Sequence, residues 1–162
     1  MNQTKKLVTA GLFIAISVIF NSLIVFPIGL AKVAPVQHFM NVLTAIWLGP
    51  WYAVACAFMT SIIRNMMGTG SILAFPGSMI GALFAGLMYQ KFKKISLGVL
   101  GEVVGTGLFG SIIAALMALP FLGKEVALFG FLPSFLVSST VGAVVAAVLL
   151  KAFEKRGLLN KK

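Results

Sequence analysis

Six apolar runs, each closed by proline, glycine or a basic residue, constrain this chain more than anything else in it. They cover approximately residues 7–26, 36–48, 51–67, 72–90, 97–121 and 131–150. A membrane-crossing helix takes about 20 mainly apolar residues, so six would use about 120. The chain has 162 residues, 60% of them hydrophobic, which is too apolar for a single water-soluble core. The sequence therefore predicts an all-α integral membrane protein of six transmembrane helices forming one domain over residues 1–162. A soluble catalytic domain has no room in it.

The charges punctuate the runs. With the amino terminus inside, the cytoplasmic side collects ten cations: Lys5, Lys6, Lys91, Lys93, Lys94, Lys151, Lys155, Arg156, Lys161 and Lys162. The outer side receives three: Lys32, Arg64 and Lys124. That bias predicts both termini in the cytoplasm. The net charge of +10 does not imply nucleic acid, because the cations lie at helix ends and not along one face. Lys5 and Lys6 before an apolar run resemble a signal peptide. The run continues to Phe26 without a small-residue cleavage site, however, and reads as a retained span. Trp47, Trp51 and Tyr52 read as aromatic anchors at a membrane edge. Cys56, the one cysteine, reads as apolar packing and excludes an intrachain disulfide.

Two polar clusters interrupt this pattern. After Pro35, the residues Gln37, His38 and Asn41 fall on neighbouring parts of one helical face, where burial in lipid would be costly. They are expected to face a cavity and to supply hydrogen bonds without a fixed charge, which suits a neutral heteroaromatic or hydroxylated ligand. The second cluster is Arg64 to Gly81, RNMMGTGSILAFPGSMIG. Arg64 and Asn65 are candidates for polar contact and for shaping the loop, against the plainer reading of Arg64 as a side chain snorkelling to the headgroups. Ser71 belongs to the loop, and Phe75 is a candidate stacking wall. Gly68, Gly70 and Gly77 let backbone turn or approach closely, and Pro76 kinks or starts the next helix. Charge bias opens both clusters to the outer face.

Other chemistry finds little support. Gly68-Thr69-Gly70-Ser71 has no following lysine and no preceding strand, so a nucleotide cradle is not expected. His38 is the only histidine, too little for a metal site. No nucleophile, base and orienting group occur together, so no enzyme activity and no cofactor are expected. Glu102, the only acid within a span, is expected to pair with Lys91, Lys93 or Lys94 or to touch a partner protein.

Small residues recur at four-residue spacing. Gly77, Gly81 and Ala85 flank Ser78, Ala82 and Gly86; Thr106, Gly110, Ala114 and Ala118 form a ridge; Ser138, Gly142 and Ala146 form another beside Ser139, Ala143 and Ala147. All predict close helix packing. In the first run Gly11 and Ala15 make one such pair, read either as internal packing or as a face for another membrane subunit.

Pro35-Val36-Gln37-His38-Phe39-Met40-Asn41, then Arg64-Asn65 with Gly68-Thr69-Gly70-Ser71-Ile72-Leu73-Ala74-Phe75-Pro76-Gly77-Ser78, and Glu102 with Gly105-Thr106-Gly107, resemble the ThiW family over essentially the whole chain. The resemblance implies a substrate-binding S component of an energy-coupling-factor (ECF) transporter in a prokaryotic plasma membrane. Such a component captures hydroxyethylthiazole, the thiazole precursor of thiamine, from outside. It works with a transmembrane coupling protein and two cytoplasmic ATPases, and topples in the membrane to release substrate. It also implies that Gly11 and Ala15 dock on the coupling protein. The residues leave other ligands open, namely the thiazole phosphate, the pyrimidine half or whole thiamine, as well as a stand-alone ion-coupled carrier.

Overall fold

The computed structural model describes residues 1–28, 31–122 and 124–159. In chain order it has α1 (Gln3–Leu23), β1 (Phe26–Ile28), β2 (Ala31–Val33), α2 (Pro35–Leu48), α3 (Pro50–Met66), α4 (Ala74–Phe92) and α5 (Ile95–Val104). A π-helical segment (Gly105–Gly110), α6 (Ser111–Leu122) and α7 (Lys124–Lys155) come next. The strands form a small antiparallel hairpin with Phe26 opposite Val33, where the sequence suggests only a loop.

Element ends follow local chemistry. Asn2 caps α1 by accepting the Lys5 N–H at 3.0 Å. Pro35 and Pro50 open α2 and α3, where a missing N–H costs no helical bond. Between them Gly49 takes φ 98°, a conformation that favours glycine, so two short helices reverse direction across one residue. Pro76 lies in the first turn of α4 and starts that helix without kinking it. Helix α7 runs from Lys124, seven residues ahead of the apolar run that announced it. The turn expected at Gly123-Lys124-Glu125 falls in part outside the described residues, since Gly123 is not among them.

Three helices among the described residues are long and apolar enough to cross a membrane: Gln3–Leu23, Ile95–Pro120 and Gly130–Lys155. At about 1.5 Å per residue, the 14-residue α2 spans only about 21 Å. The surface is apolar, and many polar side chains are buried beside the apolar core. Leu7, Leu23, Met117, Val144 and Val148 are exposed, while Asn21, Thr60, Glu102, Thr106 and Ser139 are buried. Only a lipid surround makes that distribution favourable.

Helix α4 is the hub, packed on α2, α3, α5 and the π-helical segment, and α7 closes the bundle against α2, α5 and α6. The expected small ridges are the contact faces. Gly77, Ser78, Gly81, Ala82, Ala85 and Gly86 are all buried. A methyl group on Gly81 would sit 2.8 Å from Glu102 Oε1, and one on Gly101 would sit 2.6 Å from the Phe84 carbonyl. Helix α1 packs mainly on α2 and α3. Lys6 lies over the Tyr52 ring at 5.7 Å, and Trp47 meets Phe153 edge-on at 5.7 Å, so both ends of the chain gather near the α2–α3 junction. The hairpin and the 67–73 loop occupy the opposite end.

Candidate functional site

That opposite end holds a cavity of about 160 Å³ between α2, the 67–73 loop, the start of α4 and the first half of α7. Its volume is close to the roughly 150 Å³ of an engineered cavity that takes up benzene. One wall is the first turn of α2, which contributes Gln37 and His38. Pro35 sets the start of that turn. Gly142 of α7 then lets the two backbones close, because a methyl group there would lie 2.8 Å from the Phe39 nitrogen and 2.9 Å from the His38 Cβ.

The second wall is Arg64 and the loop that folds back over it. The Arg64 carbonyl accepts from both Thr69 N and Gly70 N at 2.9 Å, and Gly68 takes φ 72° to make that reversal. Arg64 does not snorkel. It is 3% exposed, and its guanidinium donates to the Thr69 carbonyl at 3.1 Å and to Gln37 Oε1. Gln37 in turn donates to Ser61 Oγ at 3.1 Å, which meets Ser78 Oγ at 3.3 Å. Arg64 and Gln37, 27 positions apart in sequence, thus form one hydrogen-bonded wall. Thr69, Gly70 and Ser71 complete it.

The remaining predicted residues act one layer back. Asn41 does not line the cavity; its amide donates to the Ser78 carbonyl and to Glu102 Oε1, both at 3.0 Å. Asn65 donates to the Ser61 carbonyl at 2.8 Å and packs against Gly70, where a methyl group would lie 2.8 Å from its Nδ2. Phe75, the candidate stacking wall, is not among the residues lining the cavity. It faces Phe58 edge-on, with centroids 5.8 Å apart.

The aromatic wall comes instead from Phe131 and Phe135 of α7, joined by Ser134 and Ser138. Ser138 Oγ also accepts from the Ala34 N–H at 2.9 Å and ties α7 to the strand that precedes α2. The sequence carries a signal for this face: positions 131, 134, 135 and 138 recur at three- and four-residue spacing, with polar hydroxyls inside an apolar run. Lys32, in the middle of β2, is a further cavity residue that the sequence did not single out.

Glu102 departs furthest from expectation. It pairs with none of Lys91, Lys93 and Lys94. It is fully buried, and its Oε1 meets His38 Nδ1 at 2.8 Å, Asn41 Nδ2 at 3.0 Å and Thr106 Oγ1 at 3.1 Å. Distance along the helix from the basic end suggested a peripheral acid, whereas the helical phase aims it at α2 and α4. Among the described residues the cavity lining thus has two cationic residues, Lys32 and Arg64, and a histidine but no acid. Among the described residues no three metal-ligating side chains cluster. The arrangement can hold a small flat molecule by its polar groups.

The fold has a solved counterpart. A structure described as the S component of a bacterial ECF transporter superposes with a TM-score of 0.74 at 21% identity, covering 96% of this chain and 98% of that one. Curated proteins offer no match to this sequence. The profile of the family described as thiamine-precursor transporter protein (ThiW) matches residues 7–156. With almost all of its length inside that match, the chain belongs to the ThiW family of thiamine-precursor transporter proteins.

Proposed function

We propose that this protein is the substrate-binding S component of an ECF-type importer and that it captures hydroxyethylthiazole at the outer face of a prokaryotic plasma membrane. The observation that carries this reading is the cavity. About 160 Å³ suits one five-membered ring with short substituents, and its wall pairs two phenylalanines with serine, amide and imidazole groups beside Lys32 and Arg64. In this reading α1, α2, α3, α4, the continuous α5–α6 rod and α7 all cross the bilayer, with both termini cytoplasmic. The ten-to-three distribution of cations supports that orientation.

Gln37, His38, Arg64 and Ser71 contact the ligand, Asn41 and Asn65 hold them in position, and Phe131 and Phe135 flank the ring. Gly11 and Ala15 serve the coupling protein. Both are exposed on α1, and a methyl group on Gly11 would meet nothing within 4 Å, which favours an external partner over internal packing. Two cytoplasmic ATPases supply the energy that this chain has no motif to supply.

The test is mass spectrometry of ligand retained by the purified protein, followed by competition with each thiamine fragment. The thiazole alcohol should be retained and should compete best. No retention, together with no thermal shift on adding it, would sink the assignment. His38→Ala should weaken binding by about 10- to 100-fold through loss of one buried hydrogen bond while the protein stays folded. A stand-alone carrier is the competing reading, because the buried Glu102–His38 pair is what proton coupling would use. Transport by the purified chain alone in vesicles would replace the partner-driven reading.

A further inference from the structure

Glu102 lies beneath the cavity, outside its lining, and is bonded to a residue that does line it. Its carboxylate is wholly buried, and Oε2 has no hydrogen-bond partner. Among the described residues His38 is the only ion-pair partner within 4 Å of it. Arg64 is engaged elsewhere, with Gln37 and the Thr69 carbonyl. Asn41 and Thr106 bring dipoles but no charge. A buried carboxylate without a countercharge is strongly disfavoured, so the pair is stable when its net charge is zero.

Two proton arrangements satisfy that condition without leaving a buried donor unpaired; a third, with the Glu102 proton on Oε2 and Nδ1–H donating to Oε1, would strand that O–H with no acceptor. In one, a charged Glu102 accepts from a doubly protonated imidazole. In the other, a neutral Glu102 donates to Nδ1, and the single imidazole proton sits on Nε2. Both arrangements put a proton on Nε2, the ring nitrogen that Glu102 does not engage.

We propose that Glu102 is a positioning residue for ligand recognition, fixing His38 so that its Nε2–H donates into the cavity and selects a neutral azole presenting a ring-nitrogen lone pair. This rests on the reading that the cavity is the ligand site. Lys32 and Arg64 reinforce the selection, since two cations among the described lining residues disfavour a cationic ring. A ring quaternised at nitrogen has lost the lone pair and gained the charge, and is rejected on both counts.

His38 is the only histidine in the chain, so ¹⁵N-histidine labelling of the full-length protein reports this one side chain. The ligand-free protein should show Nε2 bonded to hydrogen; an unprotonated Nε2 would overturn the proposal. Glu102→Gln keeps the size but removes the acid, and should spread the nitrogen signals toward a mixture of tautomers. Unchanged signals in a folded variant would remove Glu102 from the role.

The second arm compares binding of hydroxyethylthiazole with its N-methyl thiazolium. The charged analogue should bind at least about 100-fold more weakly, as expected where a buried donor loses its acceptor. Affinities within threefold of each other would overturn the selection. Failure of the wild-type protein to bind the neutral thiazole would instead sink the ligand-site reading, and the nitrogen spectrum, which needs no ligand, would still decide the Glu102–His38 relation.

Discussion

Helices α1 and α4 carry the same sequence device and use it in opposite ways. In α4 the small residues from Gly77 to Gly86 are buried, with α5, the π-helical segment, α3 and Phe135 of α7 pressed into the gaps. In α1 Gly11 and Ala15 face outward, and the space over Gly11 is open. Small residues at four-residue spacing mark where a helix can be approached. They do not say whether the approaching helix belongs to the same chain.

The largest test of that contrast is at the centre of α4. Gly81→Val would drive a branched side chain into Thr106 and Glu102, and should destabilise the protein by about 3 kcal/mol, at the upper end of overpacking costs. Thermal unfolding in detergent measures it; an unchanged transition would mean that α4 and the π-helical segment can separate. Gly77→Ala is gentler, because the neighbour is a side chain. A methyl there would lie 2.6 Å from Phe135 Cε1, so the ring must shift within the cavity wall. Ligand affinity should fall by about tenfold while the unfolding transition moves little, within the usual cost of adding one methylene. Loss of stability without loss of affinity would make Phe135 packing alone. The smallest expected effect is Gly11→Val, which should change stability by no more than about 0.5 kcal/mol and leave ligand binding intact. Its readout is assembly: copurification with the coupling protein and ATPases should be lost, and retained assembly would assign the open face of α1 to lipid.

Much of this was legible in the sequence because it rests on local periodicity. The helices follow from the apolar runs, and the buried ridges at Gly77, Gly81 and Ala85 and at Ser138, Gly142 and Ala146 follow from four-residue spacing. Gln37, His38, Arg64 and Ser71 do meet at one cavity, as two polar interruptions on one membrane face suggested. The choice of aromatic was not legible. Phe75 and Phe135 are both phenylalanines at helical positions, and only the phase set by the start of α4 at Ala74 turns Phe75 toward Phe58. The Glu102–His38 contact joins residues 64 positions apart on different helices. No periodicity within either helix encodes it.

The π-helical segment bears on that contact through residue number rather than residue identity. It begins three residues after Glu102, contains Thr106, and leads without a break into α6. Each residue added to or taken from a helix turns the stretch before it by about 100° relative to the stretch beyond it. A single deletion between Gly105 and Gly110 would let the rod relax to an ordinary α-helix, with α6 still showing Ile112, Ile113 and Leu116 to the lipid. The same deletion would swing Glu102 a quarter-turn or more from His38, so a one-residue change in length, neutral for insertion into the membrane, would separate the acid from its histidine.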